Sequence, residues 1–129
     1  MRLLIDTQAF IWFVENNKNL PTAIKKELEN PANIIIVSIA SLWEMTIKMS
    51  LGKLKVNCEI DVMIEKLYAN GFEILPVLPE HIIKLSTLKY IHRDPFDRII
   101  ISQALSENIK LVSSDEVFDQ YSKVTRIWK

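Results

Sequence analysis

Short apolar runs alternate along this chain with longer segments of helical period. Five runs read as strands: Arg2–Ile5, Ile34–Ser38, Phe72–Leu75, Lys110–Ser113 and Thr125–Trp128. The second opens with four consecutive β-branched residues, a pattern that suits a strand covered on both faces. Helical segments fill the gaps: Thr7–Glu15, Pro21–Asn30, Ile39–Ser50, Asp61–Ala69, Pro79–Ser86, Asp94–Asn108 and Glu116–Tyr121. Pro21 and Pro79 suit first-turn positions, where the missing N–H costs nothing, and Gly71 follows a helix end. Such alternation predicts βαβ units with right-handed crossovers and a mainly parallel sheet. No repeat, low-complexity tract or linker interrupts it, and only Lys53–Glu59 reads as loosely specified. One domain over residues 1–129 is expected.

Composition narrows the picture only a little. Sixteen basic residues balance sixteen acidic ones, so bulk charge offers no pull on nucleic acid and any such contact needs a local patch. Cys58 stands alone, which excludes an internal disulfide and fits a reducing compartment. No stretch approaches the length of a membrane span, and no small-residue cleavage site follows the first apolar run. A soluble cytoplasmic protein is the expectation.

The chemistry lies in four carboxylates at the ends of these elements. Asp6 ends the first strand, and Glu44 follows the second within the helix it feeds. Asp97 opens the long late helix, and Asp115 follows Leu111-Val112-Ser113-Ser114. Open α/β sheets bind ligands at the carboxyl edge of their strands, at the point where strand order reverses. If the first and fourth strands are neighbours there, Asp6 and Asp115 come side by side, with Asp97 and Glu44 brought over the same cleft. Two like charges ~4 Å apart repel by about 4 kcal/mol at an effective dielectric near 20, so such a cluster calls for protons or a cation. Oxygen ligands select a hard ion, Mg²⁺ or Mn²⁺, and one Cys with two separated His make no zinc site.

Each acid also has a structural explanation. Asp6 or Thr7 suits the cap of the following helix, and Asp94-Pro95-Phe96-Asp97 reads as a cap, a first-turn proline and an acid on the helix dipole. Ser41-Leu42-Trp43-Glu44 fits a capping box, or Glu44 pairs with Lys48 one turn on. Asp115 suits the cap of Glu116–Tyr121. It is the conjunction at one sheet edge that favours chemistry.

The runs Leu4-Ile5-Asp6-Thr7, Ser38-Ile39-Ala40-Ser41-Leu42-Trp43-Glu44 with Lys48, His92-Arg93-Asp94-Pro95-Phe96-Asp97-Arg98 leading to Ser102-Gln103-Ala104, and Leu111-Val112-Ser113-Ser114-Asp115 resemble PIN domains, and most closely the VapC-type toxins. The resemblance covers nearly the whole chain, and the Arg-Asp-Pro-Phe-Asp-Arg block is its most specific part. It implies a three-layer α/β fold, with a five-stranded parallel sheet of order 3-2-1-4-5 and helices on both faces. It also implies that Asp6, Glu44, Asp97 and Asp115 bind Mg²⁺ or Mn²⁺ and catalyse RNA hydrolysis. Many members carry threonine where this chain has Ser113, and serine keeps the hydroxyl. A cognate antitoxin and a homodimer are the partners implied. The antitoxin would lay a segment along an apolar groove, with exposed members of Phe10, Trp12 and Phe13 as groove candidates, and aim a basic side chain at the acids.

Other residues carry weaker expectations. Phe10, Trp12, Phe13 and Trp43 are expected in the core, and Ile47 and Leu51 continue the Trp43 stripe at helical spacing. Arg98 and Ser113 are candidates for touching substrate, while Arg93 and Arg98 also suit neutralising nearby acids. His81 and His92 are expected as solvated or capping residues. Two competing functions stay open. A non-toxin PIN-fold module for RNA processing or protein docking would not need all four acids. A phosphoacceptor signalling domain would want an acid doublet after the first strand, and Asp6 is alone.

Overall fold

The computed structural model describes residues 1–129. Its five strands are β1 (Arg2–Ile5), β2 (Ile34–Ser38), β3 (Glu73–Leu75), β4 (Lys110–Val112) and β5 (Arg126–Ile127). They form one sheet in the order β3-β2-β1-β4-β5, and every pairing is parallel. Strand order therefore reverses at β1, as the resemblance implied. The helices are α1 (Thr7–Val14), α2 (Thr22–Glu29), α3 (Ile39–Ser50), α4 (Ile60–Ala69), α5 (Pro79–Ser86) and α6 (Pro95–Glu107), with a 3₁₀ turn at Glu116–Gln120. No helix is long and apolar enough to cross a membrane.

The pleat of the strands divides the core into two layers, because successive side chains point to opposite faces. Leu3, Ile5, Ile35, Val37 and Val112 face one way, against Phe10, Ile24, Leu28, Met45, Met63 and Leu67 from α1 to α4. Leu4, Ile36 and Leu111 face the other, against Ile99, Ile100, Ile101 and Ala104 of α6 and Phe118. Continuous apolar runs are what a strand covered on both faces needs. Gly71 (φ +76°) and Asn108 (φ 54°) supply the left-handed residues that end α4 and α6.

Packing overrides one sequence expectation. The stripe Trp43, Ile47 and Leu51 of α3 does not enter the core: Trp43 is 64% and Leu51 62% exposed, while Leu42 and Met45 turn inward. This helix is apolar on several faces, so periodicity alone could not choose which one meets the sheet. The difference gives a first prediction. Ile36→Ala, at a position 2% exposed, should cost about 2–5 kcal/mol in urea unfolding, through lost burial and a residual cavity. Trp43→Ala should cost less, about 0.5–1.5 kcal/mol, through its edge-on contact with Phe96.

The register sets the site. Ile5 pairs with Val37 on one side and Val112 on the other, so Asp6, Ser38 and Ser113 leave the three central strands at one level. The Asp6 N–H reaches the Val112 carbonyl at 3.0 Å, which extends the ladder by one residue.

Candidate active site

A cleft of about 380 Å³ opens above these strand ends, lined by Asp6, Thr7, Glu44, Lys48, Asp94, Asp97, Ser114 and Asp115 among others. All four predicted acids therefore reach one cleft. A larger groove of about 980 Å³ between α3 and α4 carries none of them. Leu54 lines both, so the groove opens beside the cleft.

Each acid is held by its element, and the capping explanations turn out to be compatible with the cleft. Asp6 caps α1: its Oδ1 accepts from the Ala9 N–H at 2.8 Å, while Oδ2 accepts from the Ser113 hydroxyl. Asp94 caps α6 through the N–H groups of Phe96 and Asp97, which leaves the Asp97 carboxylate free of capping work. Asp115 caps the 3₁₀ turn at Val117. Ser38 caps α3, so Ser41 and Glu44 lie inside the helix and form no capping box. Glu44 is instead buried and clamped. Thr7 Oγ1 lies 2.6 Å from its Oε1 and also 2.9 Å from Ser41 Oγ, and Lys48 Nζ donates to Oε2 at 2.8 Å.

The acids feel one another. Burial pushes the Asp6 carboxyl from 3.8 up to about 6, against the hydrogen bonds from Ser113 and Ala9, with the charges of Asp115 and Glu44 adding to the rise. Asp97 rises further, to about 7, first through burial and then through the charges of Asp94, Glu44, Asp6 and Asp115. The Lys48 ammonium is held above its ordinary range by its hydrogen bond to Glu44, with Asp94 and Asp97 contributing. A cleft with five carboxylates and one ammonium is an unfavourable place for negative charge unless a cation enters.

The donor set is all oxygen, as a hard divalent ion requires. No three acidic, His or Cys side chains converge closely enough to form a ready-made metal cage. The expectation that Asp6 and Asp115 share a cation with Asp97 in the same shell is therefore met only as far as a common cleft. A spread of carboxylates still fits Mg²⁺, which keeps several waters and binds through one or two carboxylates rather than a closed protein cage.

Two substrate-contact candidates are spent elsewhere. Arg98 is buried and turned from the cleft: its guanidinium donates to the Lys89 carbonyl at 3.1 Å and the Leu88 carbonyl at 3.4 Å, and lies 4.6 Å from the centre of the Tyr90 ring. Ser113 is fully buried and works on the acids instead, since its Oγ donates to Asp6 and accepts from the Asp115 N–H at 3.0 Å. It ties the ends of β1 and β4 together. Arg93 is exposed.

Sequence reading missed other members. Thr7 holds Glu44 and Ser41 meets the Thr7 hydroxyl, and the only signal was a hydroxyl beside each acidic run. His92 is neither solvated nor a cap: Nδ1 meets the Tyr121 hydroxyl at 2.5 Å and Nε2 lies 3.4 Å from Asp97 Oδ2. His81 does cap α5, but buried: its Nδ1 accepts from the Leu78 N–H at 2.9 Å, which leaves the proton on Nε2, facing Glu107 at 2.9 Å.

A family model described as "PIN domain" matches residues 3–124. The chain belongs to the PIN domain family. PIN membership accounts for the strand order, with β1 and β4 side by side beneath the acids. Solved structures agree at the level of the fold. The structure of VapBC2 from Rickettsia felis bound to a DNA fragment from its promoter aligns with TM-score 0.76 and 18% identity, covering 98% of each chain. DNA-bound VapBC from Salmonella typhimurium aligns with TM-score 0.74 and 18% identity, over 98% of this chain and 97% of that one. VapBC-1 from nontypeable Haemophilus influenzae aligns with TM-score 0.71 and 20% identity, over 98% and 97%. No curated protein sequence matches significantly.

Proposed function

We propose that this PIN-family chain is a divalent-metal-dependent endoribonuclease, a single nuclease domain over residues 1–129, and the toxin of a VapC-type toxin–antitoxin pair. The observation that carries the chemistry is the single cleft at the β1/β4 switch point, where Asp6, Glu44, Asp97 and Asp115 meet with raised carboxyl pKa values at Asp6 and Asp97. Retention of all four acids favours an enzyme over a docking module. The similarity to VapBC complexes supports the toxin reading.

A bound Mg²⁺ or Mn²⁺ would supply Lewis-acid polarisation of the scissile phosphate and a water of lowered pKa. Asp6, Glu44, Asp97 and Asp115 are the residues to hold it. The chain's own contribution is positioning. Ala9 and Ser113 fix both oxygens of Asp6, and Thr7 with Lys48 fixes both oxygens of Glu44, so neither carboxylate needs to reorganise when substrate arrives. Asp97, near its midpoint at neutral pH, can hold a proton among the other acids and give it up beside positive charge. No histidine base is required.

For partners, the groove beside the cleft suits an antitoxin segment. Met49, Leu54, Val56 and Ile60 line it, and Leu54 leads into the acids, where an antitoxin Arg or Lys would pair and compete with metal. Of the aromatic groove candidates, Phe10 is fully buried in the core and unavailable; Trp12 and Phe13 are half-buried, against Trp128 and Phe72. A homodimer is supported by a separate apolar hollow of about 540 Å³ that includes Ile39, Trp43, Val77, Ile82 and Phe96. A lone Cys58 accords with a cytoplasmic site of action.

The test is expression of the wild type alone. It should arrest growth, cleave cellular RNA in Mg²⁺ but not in EDTA, and co-purify from its host with a small protein. Soluble, harmless expression without such a partner would end the toxin assignment and leave the nuclease assignment standing. Undiminished cleavage in EDTA would end the metal mechanism.

A further inference from the structure

The cleft contains one basic side chain, Lys48, among eleven lining residues of which five are carboxylates. Its backbone is anchored at the end of α3, where its carbonyl accepts from the N–H groups of Lys53 at 2.9 Å and Leu54 at 3.2 Å. Its side chain is 46% exposed, and its ammonium makes one hydrogen bond, to Glu44 Oε2. An ammonium has three donors, so two remain directed away from that bond. Other arginines near the strand ends are engaged: Arg98 on backbone carbonyls and Arg126 on Asp119. An RNA backbone approaching this cleft meets net negative charge and needs a fixed cation on the protein to receive a phosphate oxygen.

We propose that Lys48 binds an RNA phosphate at the α3 rim of the cleft, on the Leu54 side of Glu44. The assignment rests on the nuclease reading above. The competing role is a plain counter-charge for Glu44. Against it, Thr7 already holds the other oxygen of Glu44 at 2.6 Å, and the ammonium lines the cleft with two of its three donors beyond the Glu44 bond. Lysine suits the part, because it meets phosphate as a compact point charge without requiring a planar fork.

The experiment uses the 129-residue chain, a 5′-fluorescein-labelled unstructured RNA dodecamer, and the variants Lys48→Gln and Lys48→Arg. Binding is read by anisotropy with Ca²⁺ in place of Mg²⁺ across a salt series, and cleavage with a Mg²⁺ titration. Lys48→Gln should raise Kd and KM about tenfold. It should also reduce the slope of log Kd against log salt by about 0.7, the signature of one lost phosphate contact on a single strand. Because Lys48 also steadies Glu44, kcat can fall as well, and the Kd read in Ca²⁺ separates phosphate binding from that loss; Lys48→Arg should recover most of the affinity. Unchanged Kd and salt slope, with a lower half-saturating Mg²⁺ concentration, would make Lys48 a counter-charge only and overturn the proposal, as would no change in any of these. If wild type binds the RNA but does not cleave it, the nuclease reading fails while the Kd ratio still decides on Lys48. If wild type does not bind it, both fail.

Discussion

Replacing Asp97 by asparagine is expected to lower RNA cleavage in Mg²⁺ at least about 100-fold, the upper range seen when groups that merely orient a metal ligand are lost. The same change should raise the melting temperature of the metal-free protein at pH 8. The two effects have one cause. In the folded chain the Asp97 carboxylate is half-buried among Asp94, Glu44, Asp6 and Asp115, and these surroundings oppose its charge. Asparagine keeps the shape and removes the charge, so repulsion in the metal-free protein is relieved while the ligand is lost. No helix cap goes with it, because Asp94 caps α6. Asp6→Asn should silence cleavage similarly, with the amide oxygen still able to accept from Ala9. Oligonucleotide cleavage and thermal melts of both variants decide the matter. Wild-type rates in both would remove the acids from the chemistry, and unfolding of both would make their role structural.

The second large effect is a pH dependence that Mg²⁺ reverses. Asp6 titrates near 6 and Asp97 near 7 in the folded chain, against 3.8 as the ordinary value. Below about pH 4 both states hold these protons and the contribution to stability is fully present. As pH rises from there, the unfolded chain releases its protons first, so it binds fewer than the folded one and unfolding becomes progressively easier. The contribution is lost as pH passes through 6 and 7. Asp119 runs the opposite way: its hydrogen bond with Arg126 lowers its pKa, and that contribution is lost in acid. Metal-free protein should therefore melt several degrees higher at pH 5 than at pH 8. Mg²⁺ should raise the melting temperature at pH 8 and scarcely at pH 5, where protons occupy the ligands. Calorimetry at the two pH values, with and without Mg²⁺, reads this directly. A metal-free protein equally stable at both, or a Mg²⁺ effect as large at pH 5, would contradict it.

The residues that defined the strands also carried much of the site. The runs Arg2–Ile5 and Ile34–Ser38 are strands at the predicted bounds, because a short continuous apolar run suits a strand covered on both faces, and in the second β-branched residues add to it. Asp6, Asp97 and Asp115 were visible because each sits where a strand ends or a helix begins, and that is a local property. Strand order was different. The pattern of runs is compatible with several arrangements of a parallel sheet, and the order came with the family resemblance.

What the chain alone could not settle was which of several chemically suitable neighbours each side chain would meet. Arg98 suited phosphate, yet α6 is buried along that face and turns its guanidinium to the carbonyls of Leu88 and Lys89. Ser113 suited substrate, yet the β1/β4 register carries it beneath Asp6, a residue 107 positions away. Trp43 suited the core, yet Leu42 and Met45 on the same apolar helix occupy it. Thr7 reached Glu44, and His92 reached Tyr121, through pairings distant in sequence. Local sequence determined the elements and placed acids at their ends, since capping and periodicity act within a few residues. The partners of those acids were decided by parallel register and by which helix face won the sheet. These are long-range choices, made by burial summed over the whole chain.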